Sequence, residues 1–183
     1  MTPLPQGSPF PLDTGGLRIL HYPEPVLRSK ADPVGQITAE VRQVAQRLLE
    51  LMREAPGVGL AAPQVGLSWR MFVANPSGEM GNDTVFINPV LSDFSTEVAD
   101  KDEGCLSLPE VWATIRRPKA VTISALDVEG RSFHRRSDEQ AARVWQHECD
   151  HLDGVLILDR MTPLDRKANR KVIAGLKEIV SNP

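Results

Sequence analysis

The sequence of 183 residues predicts an α+β fold in which strands joined by hairpins form antiparallel sheets. Three observations support this class. Short apolar runs separated by turn-forming stretches occupy the middle of the chain, one amphipathic helix pattern precedes them, and two helical patterns follow them. Helix and strand patterns do not alternate, as they would in a fold built from βαβ units.

The first helix is predicted between Thr38 and Ala55. Its apolar residues recur with a period of about 3.6, which places them on one face. They are Val41, Val44, Ala45, Leu48, Leu49 and Met52. Pro56-Gly57 ends the pattern because neither residue favours continuation of a helix.

Four strands are predicted after this helix, from the apolar and β-branched runs at 71–74, 84–87, 120–126 and 131–135. Glu129-Gly130 is the turn signal between the last two runs. Connections this short join neighbouring antiparallel strands, so we expect a mostly antiparallel arrangement.

Two more helices are predicted towards the C-terminus. Ser137 can cap the first, with Gln140 three residues on as in a capping box, and Gly154 ends it. Thr162 and Pro163 begin the second as cap and first helical residue. The second helix carries apolar residues at four-residue steps: Leu164, Ala168, Val172, Leu176 and Val180.

Length and composition limit the domain organisation and the class of protein. Residues 1–16 contain four prolines and three glycines, so we expect a flexible N-terminal extension, with 17–183 forming one domain. The net charge of −3 does not suggest a protein made chiefly to bind nucleic acid. The chain has no signal-peptide pattern and no apolar run near the roughly 18 residues of a membrane span, so we predict a cytoplasmic protein.

The spacing H-E-x-x-H at His147-Glu148-Cys149-Asp150-His151 is the strongest chemical signal. On a helix, two histidines four residues apart lie about 40° apart and one turn along the axis, so both imidazoles can bind one ion. Glu148 is then free to act as a base. Cys149 projects away from both histidines and is expected to be buried. A lone motif of this kind also arises by chance.

A third ligand is needed because a catalytic metal site takes three protein ligands and leaves one position open. The sequence after His151 lacks the H-x-x-G-x-x-H continuation of one class of metallopeptidase. Cys105, within E-G-C-L-S, is the one cysteine outside the motif helix, and its thiolate would bind a transition metal strongly. An isolated cysteine is better explained as a buried free thiol, but its pairing with an H-E-x-x-H helix favours metal ligation.

The segment G-V-G-L-A-A-P-Q at 57–64 contains a G-x-G-x-x-A pattern. The context argues against a dinucleotide site, because the loop follows a helix rather than a strand and Pro63 would interrupt the required helix. Glycines also let the main chain run close beside an extended peptide, which could add as a strand. A plain tight turn is the other interpretation.

Together the segments 57–64, 103–107 and Q-H-E-C-D-H-L-D-G at 146–154, in that order, resemble the three signature motifs of peptide deformylases. These metalloenzymes remove the N-formyl group from newly made proteins. The resemblance extends from about Arg18 to Arg160. It implies antiparallel sheets around a central helix that carries H-E-x-x-H.

The resemblance also implies a set of roles. Cys105, His147 and His151 would hold one divalent metal, with Fe²⁺ favoured and Zn²⁺ a common occupant. Glu148 would transfer protons, while the Gln64 amide and the backbone N–H of Leu106 would stabilise the oxyanion. Val58, Gly59, Leu106 and Val144 would contact the peptide and its methionine side chain. Glu103, Arg117 and Asp150 are candidate residues for orienting the metal ligands.

Partners and rival functions complete the predictions. The substrates would be N-formylmethionyl nascent peptides, and the basic C-terminal helix could dock on the ribosome, although such a charge run is usually a solvated face. Its basic residues are Arg166, Lys167, Arg170, Lys171 and Lys177. One rival is a zincin-like peptidase, which would not need Cys105. The other is a structural metal-binding module, which would close its site with a fourth protein ligand.

Overall fold

A computed structural model of the protein describes residues 12–138 and 140–181. Residues 1–11 of the predicted flexible extension lie outside the described residues. From there on, Asp13 caps a short 3-10 turn, Thr14–Gly16, and Leu12 and Leu17 pack against the core. The helices are α1 (Ala39–Glu54), α2 (Gln140–Leu152), α3 (Ile157–Arg160), α4 (Pro163–Ala168) and α5 (Arg170–Ser181).

Two antiparallel sheets form the β part of the fold. The strands are β1 (Gly59–Ala61), β2 (Met71–Ala74), β3 (Thr84–Ser92), β4 (Val98–Cys105), β5 (Leu108–Pro118), β6 (Val121–Leu126) and β7 (Ser132–Ser137). The larger sheet has the order β1-β2-β3-β6-β7, and β4 pairs with β5 in a separate two-stranded sheet. Every pairing is antiparallel, which confirms the predicted α+β class.

Helix α1 forms where the sequence pattern predicts it. Thr38 is its N-cap, and its side chain accepts a hydrogen bond from the backbone N–H of Val41. The face that carries Val44, Leu48 and Met52 is buried against the first three strands of the larger sheet. Burial of this apolar face stabilises the helix, because an isolated helix of this length is marginal in water.

Helix α2 lies at the centre of the fold. It contacts strands of both sheets, and nine of its thirteen residues are buried. One cluster of apolar side chains joins α2 to the larger sheet and includes the stacked rings of Phe72 and Phe86. A separate cluster joins β5 to α3 and α5 through residues such as Ile115, Leu158 and Leu176.

The structure corrects three details of the sequence prediction. The last predicted strand, 131–135, runs further than expected: β7 ends at Ser137, which pairs with Val121, and α2 is described from Gln140 onwards. The C-terminal helix is interrupted at Asn169, whose side chain donates to the carbonyl groups of Trp112 and Asp165. Leu164 is exposed and does not join the apolar face.

The sequence does not predict the sheet formed by β4 and β5, although its strand β4 contains Glu103 and Cys105. Among the residues described, no helix is long and apolar enough to cross a membrane.

Candidate metal centre and active site

Helix α2 presents His147 and His151 one turn apart on the same side. Their ring centroids are 5.0 Å apart and the ring planes meet at 70°. Cys149 lies elsewhere on the helix, where it is a buried free thiol whose pKa is raised by burial. The helix therefore supplies two imidazoles to the site and keeps its cysteine away from them.

Cys105 comes to the histidines from the last position of β4. The pairing register between β4 and β5 shifts just before this residue, between Glu103 and Cys105. The Sγ atom of Cys105 lies 3.3 Å from Nε2 of His151. Ligand atoms of Cys105, His147 and His151 all lie within 4.8 Å of one another, and within the described ranges they form the one such group of three.

This donor set fits one divalent transition metal. Two ligands bound at roughly 2.0–2.3 Å to one ion are themselves about 3–4 Å apart, close to the spacing seen here. Burial lowers the pKa of His151, so its imidazole is neutral and has a lone pair to donate. Burial also lowers the pKa of His147, but hydrogen bonds to Cys105 and Glu103 outweigh this effect and raise it to about 10. The surroundings of His147 therefore favour positive charge.

Glu103 fixes the orientation of His147. Its Oε2 atom lies 3.0 Å from Nδ1 of His147, which leaves the Nε2 atom of that ring for a metal. Arg117 donates to both oxygens of the same carboxylate, at 2.7 Å and 2.9 Å, and Arg143 donates to Oε1 at 2.6 Å. All three charged side chains are buried. Burial raises the pKa of Glu103, but the hydrogen bonds from Arg117 and His147 outweigh it and hold this pKa well below its usual range.

The same charge network continues away from the histidines. Arg117 also donates to Oδ2 of Asp150 at 2.8 Å, and Asp150 accepts two further hydrogen bonds from Arg160. Carboxylates and guanidinium groups alternate along the network, so each buried charge has a partner of opposite sign. Glu103, Arg117 and Asp150 thus stand where residues that orient metal ligands would be placed.

Glu148 lies beside the metal ligands in a tightly packed position. A Cβ atom added to Gly59 would lie only 2.3 Å from Oε1 of Glu148, so β1 passes directly against the carboxylate. Within the part of the chain described, Oε2 of Glu148 is buried without a hydrogen-bond partner. Burial raises the pKa of Glu148 to about 7, although the nearby charge of His147 acts to lower it.

Gln64 is held on the other side of Cys105. Its Oε1 atom accepts from the backbone N–H of Ala61 at 2.9 Å, which turns its amide nitrogen towards Cys105 and Ser107. That nitrogen is 3.7 Å from Sγ of Cys105 and 3.1 Å from Oγ of Ser107. The amide N–H groups therefore lie next to the sulfur atom of Cys105.

A cavity of about 480 Å³ opens onto these groups. Its lining includes the four residues predicted to contact the peptide, namely Val58, Gly59, Leu106 and Val144. Gln64, Cys105, His147 and Glu148 also line it, whereas His151 is buried behind them. The volume is typical of a small-ligand pocket, and the strand β1 forms one wall.

Two residues of the site were not predicted from the sequence. Arg143 is buried in α2 and donates to Glu103 and to the carbonyl groups of Ile115 and Ala99. Ser107, which is fully buried, accepts from Gln64. Ser107 lies within the E-G-C-L-S motif and could have been noted, but an arginine in a helix gives no local signal of burial.

Comparison with known proteins agrees with the resemblance seen in the sequence motifs. The family model described as polypeptide deformylase matches residues 17–167. The chain belongs to the polypeptide deformylase family. The predicted family, fold and enzyme class are thereby confirmed.

Relatives in this deformylase family come from bacteria and plants. The chain is 40% identical over 157 residues to peptide deformylase of Acinetobacter baumannii, covering 86% of this chain and 89% of that protein. It is 40% identical over 164 residues to peptide deformylase 1B, chloroplastic/mitochondrial, of Arabidopsis thaliana, covering 88% of this chain. It spans only 60% of the length of that plant protein.

Solved deformylase structures share the fold. A plant peptide deformylase 1B crystal structure superposes with a TM-score of 0.86 at 36% identity, over 90% of this chain and 91% of that one. Peptide deformylase from Plasmodium falciparum gives a TM-score of 0.86 at 34% identity, over 90% of this chain and 97% of that one.

Proposed function

We propose that this deformylase hydrolyses the formamide bond of N-formylmethionyl peptides at the metal centre formed by Cys105, His147 and His151. The observation that carries the proposal is the convergence of these three side chains, two of which line the cavity beside Glu148 while His151 lies behind them. A divalent cation bound there would supply Lewis-acid polarisation of the formyl group and lower the pKa of a water molecule.

The protein groups supply proton transfer and charge stabilisation. Glu148 accepts the proton of the attacking water through its unpartnered Oε2 and later delivers it to the departing amine. The amide of Gln64 and the backbone N–H of Leu106 donate hydrogen bonds to the oxygen on which negative charge develops. The products are formate and a free α-amino group.

The peptide binds along β1. This strand is at the edge of the five-stranded sheet, so its outer backbone groups can pair with an extended peptide. The methionine side chain then enters the cavity between Val58, Leu106 and Val144. Because Gly59 has no side chain, the main chain of β1 can pass close to Glu148, as this mode of peptide binding requires.

Formate release from a formyl-Met peptide tests the function directly. The parent protein should release formate, and the Cys105→Ala variant should lose both the metal and the activity. Glu148→Ala should keep one metal per chain, measured by elemental analysis, while turnover falls at least about a hundredfold. Cleavage of an internal peptide bond without formate release would contradict the proposal and favour the peptidase alternative. Full activity of Glu148→Ala would contradict the proposed role of that residue in proton transfer.

We propose Fe²⁺ as the working metal. A set of one thiolate and two imidazoles accepts several first-row ions, and affinity alone does not select among them. The expected result is loss of activity in air and recovery when Fe²⁺ is added without oxygen. Stable activity in air with zinc as the bound metal would contradict iron as the working ion.

We also propose that the chain acts in the cytoplasm on nascent polypeptides and docks on ribosomal RNA through α4 and α5. The five basic residues predicted for this role are exposed along these helices: Arg166, Lys167, Arg170, Lys171 and Lys177. Cations on one surface would pair with phosphates in a salt-dependent way. We propose residues 17–183 as the single catalytic domain.

Charge reversal tests docking better than deletion does, because Leu176 of α5 belongs to the core. Changing Lys167, Arg170 and Lys171 to glutamate should abolish co-sedimentation with ribosomes and leave hydrolysis of a small formyl-Met peptide intact. The matched control reverses Arg131, Arg135 and Arg136, which lie at and beside the β6–β7 hairpin. Equal co-sedimentation of both variants would contradict docking, and cell fractionation checks the location.

A further inference from the structure

A second cavity lies on the side of α2 that faces away from the metal ligands. Its volume is about 450 Å³, close to that of the active-site cavity. Helix α2 contributes Gln146, Cys149 and Asp150, whose spacing of three and four residues places them on one side of the helix, and Asp153 follows the helix end. None of the metal ligands, and none of the residues assigned to proton transfer or oxyanion stabilisation, lines this cavity.

Positive charge predominates in the wall of the second cavity. Four arginines line it, namely Arg70, Arg116, Arg117 and Arg160, against two carboxylates, those of Asp150 and Asp153. Asp100 and Glu103, the carboxylates on β4 that pair with Arg116 and Arg117, are not part of the lining. A concave surface with more guanidinium groups than carboxylates attracts anions.

Two of these arginines keep donors outside their ion pairs. Arg116 uses Nε and Nη2 on Asp100, and Arg160 uses Nε and Nη2 on Asp150. Among the residues that the structure describes, Nη1 of each arginine makes no hydrogen bond, and both side chains are substantially exposed, at 71% for Arg116 and 41% for Arg160. A guanidinium group has five N–H donors, so each can bind a further acceptor without giving up its present partner.

Apolar side chains border the charged part of the cavity. Val90 at the end of β3 and Phe94 just after it line the cavity and are 60% and 50% exposed. Exposed large apolar residues beside a cavity are a feature of binding surfaces rather than of plain protein surface. The cavity therefore offers cations and an apolar surface together.

We propose that this second cavity binds a phosphate monoester that carries a small apolar or aromatic group. Arg116 and Arg160 would hold the phosphate, because guanidinium groups match phosphate oxygens in geometry and two cations balance a dianion. Phe94 and Val90 would cover the apolar group. The ligand would not contact the metal ligands, although Arg117 and Asp150 in the cavity wall belong to the charge network that reaches His147.

Isothermal titration calorimetry of the metal-loaded protein with phenyl phosphate tests the proposal. Inorganic phosphate and benzyl alcohol serve as probes for the two halves of the ligand. Phenyl phosphate should bind more tightly than either. Arg116→Gln should weaken both phosphate probes about tenfold, since it removes a charge-assisted hydrogen bond. Phe94→Ala should weaken phenyl phosphate and leave inorganic phosphate unchanged.

The matched control is Arg131→Gln, which removes the same charge from an arginine that is 73% exposed on the β6–β7 hairpin. Its affinity for phenyl phosphate should equal that of the parent. Arg116 and Phe94 are both exposed, so the variants should fold, which an unchanged melting temperature would verify. No binding, or binding that persists in both variants but disappears when the metal is removed, would overturn the proposal.

Discussion

Replacing Glu103 by glutamine should destabilise the protein far more than the same change at Asp100. Both residues are on β4, and each accepts two parallel hydrogen bonds from an arginine of β5, at 2.7 and 2.9 Å for Glu103 and 2.8 and 2.8 Å for Asp100. They differ in burial. The side chains of Arg117 and Glu103 are 3% and 6% exposed, whereas those of Arg116 and Asp100 are 71% and 47% exposed.

The expected magnitudes follow from that difference. Glu103→Gln leaves Arg117 and Arg143 buried without the negative charge they share, although Arg117 keeps Asp150. Breaking a buried ion pair by removing one partner costs about 3–5 kcal/mol. Asp100→Asn breaks an exposed pair, which is worth about 0–1 kcal/mol. Glu103→Gln should also reduce metal affinity about 10- to 100-fold, because His147 loses its carboxylate partner.

Urea denaturation of the parent and both variants measures these free energies. The comparison is made with the metal removed by a chelator, since bound metal adds stability by mass action and would mix the two effects. Metal affinity is then measured separately by titration with Co²⁺. A loss of less than about 1 kcal/mol for Glu103→Gln, or equal losses for the two variants, would refute the argument from burial.

Three further results are expected. Gly59→Ala should lower kcat about a hundredfold, because the new Cβ displaces the carboxylate of Glu148, while one metal per chain is retained. An unchanged kcat would contradict this packing. Iodoacetamide should modify Cys105 only after the metal is removed and should not modify buried Cys149 in the folded protein, as peptide mass spectrometry would show. Gly175→Ala should raise the free energy of unfolding by about 0.5–1 kcal/mol, since nothing lies within 4 Å of the added methyl group on α5, and a decrease in urea denaturation would disprove it.

Features that depend on local spacing could be predicted from the sequence. The 3.6-residue pattern of α1 and its Thr38 cap are local, and the structure has both. The H-E-x-x-H spacing likewise determines that His147 and His151 share one side of a helix. Cys105 lies 42 positions before His147 in the sequence, so no local spacing links it to the histidines, and the link depended on the need for a third ligand and on the resemblance to a family.

Features that depend on distant partners could not be predicted. Strand β4 has charged residues on its exposed face and an ion-paired glutamate on its buried face, so it lacks the apolar alternation that marks a strand. Arg143 resembles a solvent-facing helix residue until β4 and β5 bring Glu103 and the carbonyl of Ile115 to it. Ser137 has the chemistry of a cap, but pairing with Val121 places it in a strand.

The position of β1 at the rim of the larger sheet bears on how many different proteins this enzyme can serve. Contacts made through main-chain amides are the same for every residue type that follows the first methionine. An enzyme that reads its substrate in this manner needs a specific pocket for one side chain only. Under the proposed pairing of the peptide with β1, breadth of action across newly synthesised proteins would be a property of three residues, Gly59–Ala61.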